Sequence, residues 1–375
     1  MRTFWHALRA TLRAVFADRY ARNTMIGAVV LYSFLYPAAY RHEVASRLPV
    51  AIVDQDRSPM SRDLLRTIDA VRAVKVAAAT ESVDAAAALV RQGRVEGIVV
   101  IPAGFERDIL RGGQGQVALY GNGAFLGRAS TVLNGVGDAV RGFAMDAARV
   151  QARFAGAPTQ VPLQLVQRPL FNTREGYGSS IVPGVAELIV HQTLLVGIGV
   201  LAGGMRRRRG RRLSWRPVEL AGIATAFLLI GAFGLLYYSG LAFWIQDYPR
   251  GGNLAGLLVA GGLFLAATVL FGLWLGSFFS TRERAFQYVV ATSLVLFMLA
   301  HLSWPVTSSP DALRWLAALL PSTPGINAMV RLNQMGASLG EVAPQLWNLA
   351  ALVVLYGLSA LWRYRARDRA GGFRY

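Results

Sequence analysis

The chain is 375 residues long, 54% hydrophobic and 16% charged, with 39 Lys and Arg against 21 Asp and Glu and no cysteine. The missing cysteine excludes disulfides, thiolate metal sites and cysteine nucleophiles together. The single lysine, Lys75, follows Val74 rather than a glycine, so no G-x-x-x-x-G-K-[ST] loop can cradle a nucleotide phosphate and any use of ATP would rest on another chain.

In chain order, Trp5, Leu8, Leu12, Val15 and Phe16 recur at helical spacing with Arg2, Arg9, Arg13 and Arg19 largely on the other side. This predicts an amphipathic interfacial helix over 1–22 on the inner membrane face. An apolar run over 23–40 follows. A cleaved signal peptide is the competing reading, since Ala38 and Ala39 are small residues near the end of that run; the long, patterned basic segment ahead of it argues against removal.

Residues 41–178 read as alternating strands and helices. Leu48 to Val53 is an apolar strand, 61–71 a helix, 74–79 extended and 82–95 a helix behind a Ser82 cap. Gly97 to Ile101 is a buried strand, 105–110 a short helix, 116–120 a strand, 125–154 a long helix and 163–167 extended. Such alternation predicts an α/β domain inserted between the first two spans. Within it, Asp54-Gln55-Asp56 after a strand invites a phosphatase reading of the haloacid dehalogenase type. Lys75 lies too close and no Asp-Asp pair follows, which leaves a turn in which Ser58 or Asp56 caps the next helix.

Counting 23–40, which is short, six apolar runs reach or approach the roughly 20 helical residues that cross about 30 Å of hydrocarbon. The others are 181–204, 218–245, 254–279, 285–304 and 344–362. The predicted fold is thus a polytopic α-helical membrane protein of six transmembrane helices carrying an inserted α/β domain. Its parts are 1–22 interfacial helix, 23–40 first span, 41–178 extracytoplasmic domain, 179–364 five-helix domain with an outer re-entrant or loop region near 305–343, and 365–375 basic tail. Arginines follow or precede the spans on one side only: Arg2 to Arg22, Arg206 to Arg216, Arg282 and Arg284, and Arg363 to Arg374, with Arg250 alone in the opposite short loop. Positive residues near a span resist translocation, so both termini are expected in the cytoplasm of a bacterial inner membrane. The same placement explains the basic balance by topology and anionic lipid rather than by nucleic acid.

Glu187 and His191, four residues apart, share one face of the second span. Ionisable groups at membrane depth are costly and face a cavity or a partner. Two readings stay open here: a hydrogen-bonded structural pair, or a contact on a translocation route together with His301 near the outer end of the fifth span. A metal site would need His301 as a third ligand, and no metal is expected.

Five stretches then carry a resemblance: 31–37 (LYSFLYP), 53–62 (VDQDRSPMSR), 100–107 (VIPAGFER), 181–184 (IVPG), and 320–326 (LPSTPGI) running on to 331–337 (RLNQMGA). In this order and spacing the chain resembles a membrane subunit of an ABC-2 type exporter, in the subgroup with a large extracytoplasmic domain between spans one and two. The resemblance implies a permease, not an enzyme, dimerised with itself or with a second permease. It implies no cofactor of its own, with ATP used by a separate ATPase subunit, and a periplasmic adaptor as a further candidate partner. By that analogy Trp5, Arg206, Arg207, Arg208, Arg209, Arg211, Arg212 and Trp215 would touch the ATPase and spans two and five would line the route. One departure stands out: where such permeases carry an acidic and basic coupling helix, this chain has Met205 to Pro217 with no acid before Glu219. The competing function is a non-transporting membrane protein whose outer domain binds or scaffolds an envelope partner. Gly199/Gly203, Gly252/Gly256 and Gly272/Gly276 are spaced for close helix contacts.

Overall fold

Strand β1 (Leu48–Asp54) and strand β3 (Gly97–Ile101) are apolar along their length, and such runs belong in the middle of a parallel sheet. They do pair in parallel, with β2 (Val74–Ala79) beside β1 and β4 (Ala118–Gly121) antiparallel on β3, giving the order β2-β1-β3-β4. The computed structural model describes residues 1–39, 46–111, 113–122, 126–154, 177–210, 213–302 and 309–365. The expected extended segment 163–167, Arg211, Arg212, Arg367, Arg369 and Arg374 lie outside the described residues. The chain divides into two units, 42–168 and 1–41 with 169–375.

In the first of these, alternation along the strands feeds two apolar layers. Val50, Ile52, Val99 and Ile101 pack with α4 (Pro59–Asp69), α6 (Phe105–Leu110) and the first half of α7 (Leu126–Phe154), where Val132 and Val136 are buried. Ala51, Val53, Ile98 and Val100 pack with α5 (Val83–Arg91) through Ala86. Because β2 and β3 lie on opposite sides of β1, the chain reverses direction across the sheet at the carboxyl ends of β1 and β3, where open α/β sheets bind ligands. Here that crevice is filled by the protein itself. Asp54 accepts hydrogen bonds from the backbone of Asp56 and Arg57 and from Ser61 Oγ, closing the turn. Ser58 caps α4 by accepting from Ser61 N, while Asp56 reaches away from that helix and accepts from Gly104 N at 2.7 Å and Glu106 N at 3.1 Å, capping α6 instead. Gly104 holds φ +88°, a conformation that a side chain would strain.

The second unit is helical. α1 (Arg2–Ala17) buries Ala7, Leu8 and Val15 and packs on α9 (Pro217–Leu236), where a Cβ on Gly222 would lie 2.5 Å from the Phe4 carbonyl oxygen. The expected single helix over 1–22 breaks at Asp18, whose extended backbone lets its carboxylate cap α2 (Arg19–Arg22) through Tyr20 N and Ala21 N. The same carboxylate meets Arg282 at 2.7 Å. A π-helical turn, Asn23–Gly27, leads into α3 (Ala28–Ala39).

Among the described residues, four helices are long and apolar enough to cross a membrane: Gly178–Arg209 within α8 (Tyr177–Arg209), Pro217–Ile245, α11 (Leu254–Gly276) and α15 (Ala343–Tyr364). The second of these joins α9, a π-helical turn Tyr237–Ala242 and α10 (Phe243–Ile245). The run expected as span five folds as α12 (Arg282–Leu299), whose 18 residues begin with Arg282, Glu283 and Arg284; that leaves its apolar part below a full span by itself. The run expected as span one is likewise helical but short and interrupted by its π-helical turn. α13 (Asp311–Ala318) and α14 (Ser322–Gln334) lie between α12 and α15. α8 is the central helix, nearly all of its apolar stretch buried against α12, α11, α14, α3 and α9. Of the glycine pairs, Gly199/Gly203 and Gly272/Gly276 stay on helices, whereas Gly252 lies in the turn before α11, against Gly336.

Candidate functional site

The middle of α8 carries the polar groups that its apolar neighbours cannot satisfy. Glu187 is 3% exposed and His191, one turn on, is fully buried. The imidazole lies between two rings of α11, Phe264 at 6.1 Å and Phe271 at 6.4 Å, with interplanar angles of 15° and 17°. Thr268 sits between those two phenylalanines on the same face of α11, also fully buried. The sequence-based reading of Glu187 and His191 as a hydrogen-bonded pair is overturned. Glu187 Oε2, both ring nitrogens of His191, both amide atoms of Gln192 and Thr268 Oγ1 all lack a hydrogen-bond partner. The i, i+4 spacing brings the two side chains to one helix face, but the rings of α11 take the imidazole instead. Each such atom is expected to cost about 1–3 kcal/mol relative to a paired one, and unpaired groups in a folded core call for a functional or solvent explanation.

Beside this cluster the π-helical turn at Tyr237–Ala242 aims two phenols at α3. Tyr237 Oη and Ser33 Oγ are 2.9 Å apart, and Tyr238 Oη donates to the Val29 carbonyl at 2.9 Å. Glu187 is within electrostatic reach of Tyr238. π-Helical turns inside α-helices concentrate at functional places. Sequence reasoning missed Gln192, Thr268 and the tyrosines. A threonine spaced four and three residues from Phe264 and Phe271 in an otherwise apolar helix was the available signal.

His301 stands apart from Glu187 and His191. It follows α12 with φ +56° and lines a separate cavity of about 230 Å³ with Arg314, Asn327, Gln345 and Asn348. Among the described residues no three His, Asp or Glu side chains converge to hold a metal ion.

The arginine end of α8 is partly structural. Arg206 donates to the carbonyls of Ser277, Phe278 and Phe279, at 3.1, 3.3 and 3.5 Å, just past the end of α11. Arg363 donates to Ser277 Oγ at 3.0 Å and stacks 4.2 Å over the Phe278 ring. Cations at a helix carboxyl end complement its unpaired carbonyls and dipole. Trp215, expected at a partner surface, is instead 5% exposed. Its ring lies 4.5 Å from that of Tyr364, and its backbone N–H donates to the Tyr364 carbonyl. It is a packing residue because the turn after the arginine block folds back onto the end of α15. Arg207 pairs with Glu283 at 3.7 Å on the surface, Arg208 and Arg209 are exposed, and Trp5 is 55% exposed on α1.

Long apolar helices around a buried polar centre are the features of a helical membrane protein, and comparison with known proteins specifies the class. The chain belongs to the ABC-2 transporter family: the family described as "ABC-2 family transporter protein" matches residues 23–362. It is therefore a membrane-embedded ABC-2 permease. It is 22% identical over 369 residues to "Probable multidrug ABC transporter permease YbhR" of Escherichia coli (strain K12), covering 97% of this chain and 98% of that one. It is also 22% identical over 366 residues to "Inner membrane transport permease YhhJ" of the same organism, covering 94% of each.

Proposed function

We propose that this permease is the membrane half of an exporter in the bacterial inner membrane. Six spans, two of them the shorter α3 and α12 segments, place both termini in the cytoplasm and the unit 42–168 outside. Two permeases, alike or different, pair with ATPase subunits that supply the energy, and the cargo is a small molecule or envelope component moved outward. The name of the YbhR relative favours a drug-like cargo. The observation that carries the reading is the unpaired centre that Glu187, His191 and Gln192 of the central helix form with Thr268 of α11. A purely structural core gains from apolar side chains at such positions, whereas a transport route retains polar ones.

Of the side chains first assigned to ATPase docking, Trp5, Arg207, Arg208 and Arg209 remain exposed enough to serve. Trp215 and Arg206 act through packing. Arg211 and Arg212 keep their assignment as part of the same basic block. The test is reconstitution with whichever ATPase co-purifies in mild detergent, followed by ATP-dependent uptake of a fluorescent amphiphile into inverted vesicles. Uptake that needs both proteins is the expected result. ATP turnover by the isolated permease, surviving removal of contaminating ATPases, would refute it.

A further inference from the structure

The cavity of about 230 Å³ beyond α12 has a chemistry that the transport reading does not use. It is bounded by the ends of four helices: His301 after α12, Arg314 in α13, Thr323 and Asn327 at the start of α14, and Gln345 and Asn348 at the start of α15. Part of this polar set is committed to holding the helices together. Thr323 Oγ1 donates to the Leu299 carbonyl, and Asn327 Nδ2 donates to the carbonyls of Ala300 and Thr323. The rest is not. His301 Nδ1 and Gln345 Oε1 are buried atoms without a hydrogen-bond partner, and both residues line this one space. Arg314, ion-paired on one side with Asp311, is the only charged side chain among the described lining residues.

The surroundings say where the cavity lies. Trp315, next to Arg314, and Trp347, between Gln345 and Asn348, are each 76% exposed, and Leu313, Leu316 and Leu319 are exposed along α13. Exposed tryptophans beside apolar side chains mark the boundary between hydrocarbon and headgroups. Drug-sized ligands occupy pockets of roughly 300–1,000 Å³. This one is smaller, suited to a headgroup whose tails remain outside.

We propose that the cavity is a binding site for the phosphate-bearing headgroup of a membrane phospholipid, with Arg314 on the phosphate and His301, Gln345 and Asn348 on its ester or hydroxyl oxygens and amine. The acyl chains run past Trp315 and Trp347. A planar guanidinium suits a phosphate, and carboxamides and imidazole supply both donors and acceptors for the neutral part. The site is independent of the cargo and of the centre around Glu187.

Native mass spectrometry of the full-length permease, stripped of lipid in detergent and titrated with phosphatidylglycerol or phosphatidylethanolamine, tests this. One lipid should be retained per chain. Gln345→Glu keeps the shape and adds a charge that repels the phosphate of phosphatidylglycerol, whose headgroup has no amine to attract it, and should lower retention of that lipid by roughly tenfold. Asn348→Leu should lower it in the same direction, with Arg91→Gln, exposed on α5 and remote in sequence from the cavity, as a control that leaves it unchanged. Melting of each variant within a few degrees of the parent shows that folding is intact. Unchanged retention in Gln345→Glu and Asn348→Leu would overturn the proposal, as would equal retention of an uncharged glycolipid. Competition by inorganic phosphate or glycerol 3-phosphate at concentrations matching the lipid would make this a free-anion site and likewise overturn it.

Discussion

Glu187 offers a sharper test than its sequence position promised. A hydrogen-bonded pair broken by Leu would lose about 0.6 kcal/mol and seldom more than roughly 2, as polar contacts between membrane helices do. Its Oε2 atom has no partner to lose, so Glu187→Leu is expected to raise the detergent melting temperature of the assembled complex while abolishing or altering export. Glu187→Gln should fold normally and change export alone. Earlier melting of the Leu protein with normal export of both would return the residue to a structural role. Arg206 and Trp5 separate in the opposite sense. Arg206→Ala uncovers the carbonyls beyond α11 and should cost about 1.5–3 kcal/mol, the range for hydrogen bonds to a charged group, read as a lower melting temperature of the permease alone. Trp5→Ala, on the exposed face of α1, should leave that melting unchanged and weaken only recovery of the ATPase in a pull-down. Equal melting of the two variants would contradict this division.

At the scale of elements, Asp56 ties two loops into one. Its carboxylate caps α6 from the end of β1, so Asp56→Ala should cost about 1 kcal/mol, the usual worth of an N-cap. The readout is hydrogen exchange of the amides at 104–106, roughly fivefold faster in the variant. Burial alone would push this carboxyl up, but donation from the Ser58 side chain and the backbone N–H groups of Glu106, Gly104 and Phe105 together holds it below the usual range. A folded value below the unfolded one means the contribution is complete above about pH 4 and fades as pH falls through the folded value. Wild type and Asp56→Asn should therefore differ at pH 7 and converge in strong acid; a constant difference down to pH 2 would exclude the carboxylate as the cause. This link also marks how far the sequence could be read. The strands at 48–53, 74–79 and 97–101, the Ser82 cap and the helix at 105–110 were legible because period, capping and apolar runs are local. That Asp56 serves a helix some 48 residues away, that Thr268 joins His191, and that Trp215 turns inward onto Tyr364 were not legible, since each depends on which elements meet in space.

For the whole molecule, the central placement of α8 and the arginines at its end bear on topology together. Arg206 to Arg209 continue the same helix whose middle is the polar centre, so whichever side of the membrane holds that arginine block fixes the orientation of that helix. Positive residues close to a span stay in the cytoplasm, and Arg365 follows α15, which is expected to end on the same side. Tyr120, half exposed on β4 of the α/β unit, is expected outside. The chain has no cysteine, so Tyr120→Cys, Arg208→Cys and Arg365→Cys each create a single thiol that an impermeant maleimide can report in intact cells. Labelling at 120 alone, with 208 and 365 reacting only after the membrane is opened, is the expected pattern. It requires an odd number of crossings between 120 and 208 and an even number between 208 and 365, which α9, α11, α12 and α15 supply only if α12 spans despite its charged start. Opposite sides for 208 and 365 would make α12 an interfacial helix, reduce the count to five, and move the carboxyl end outside.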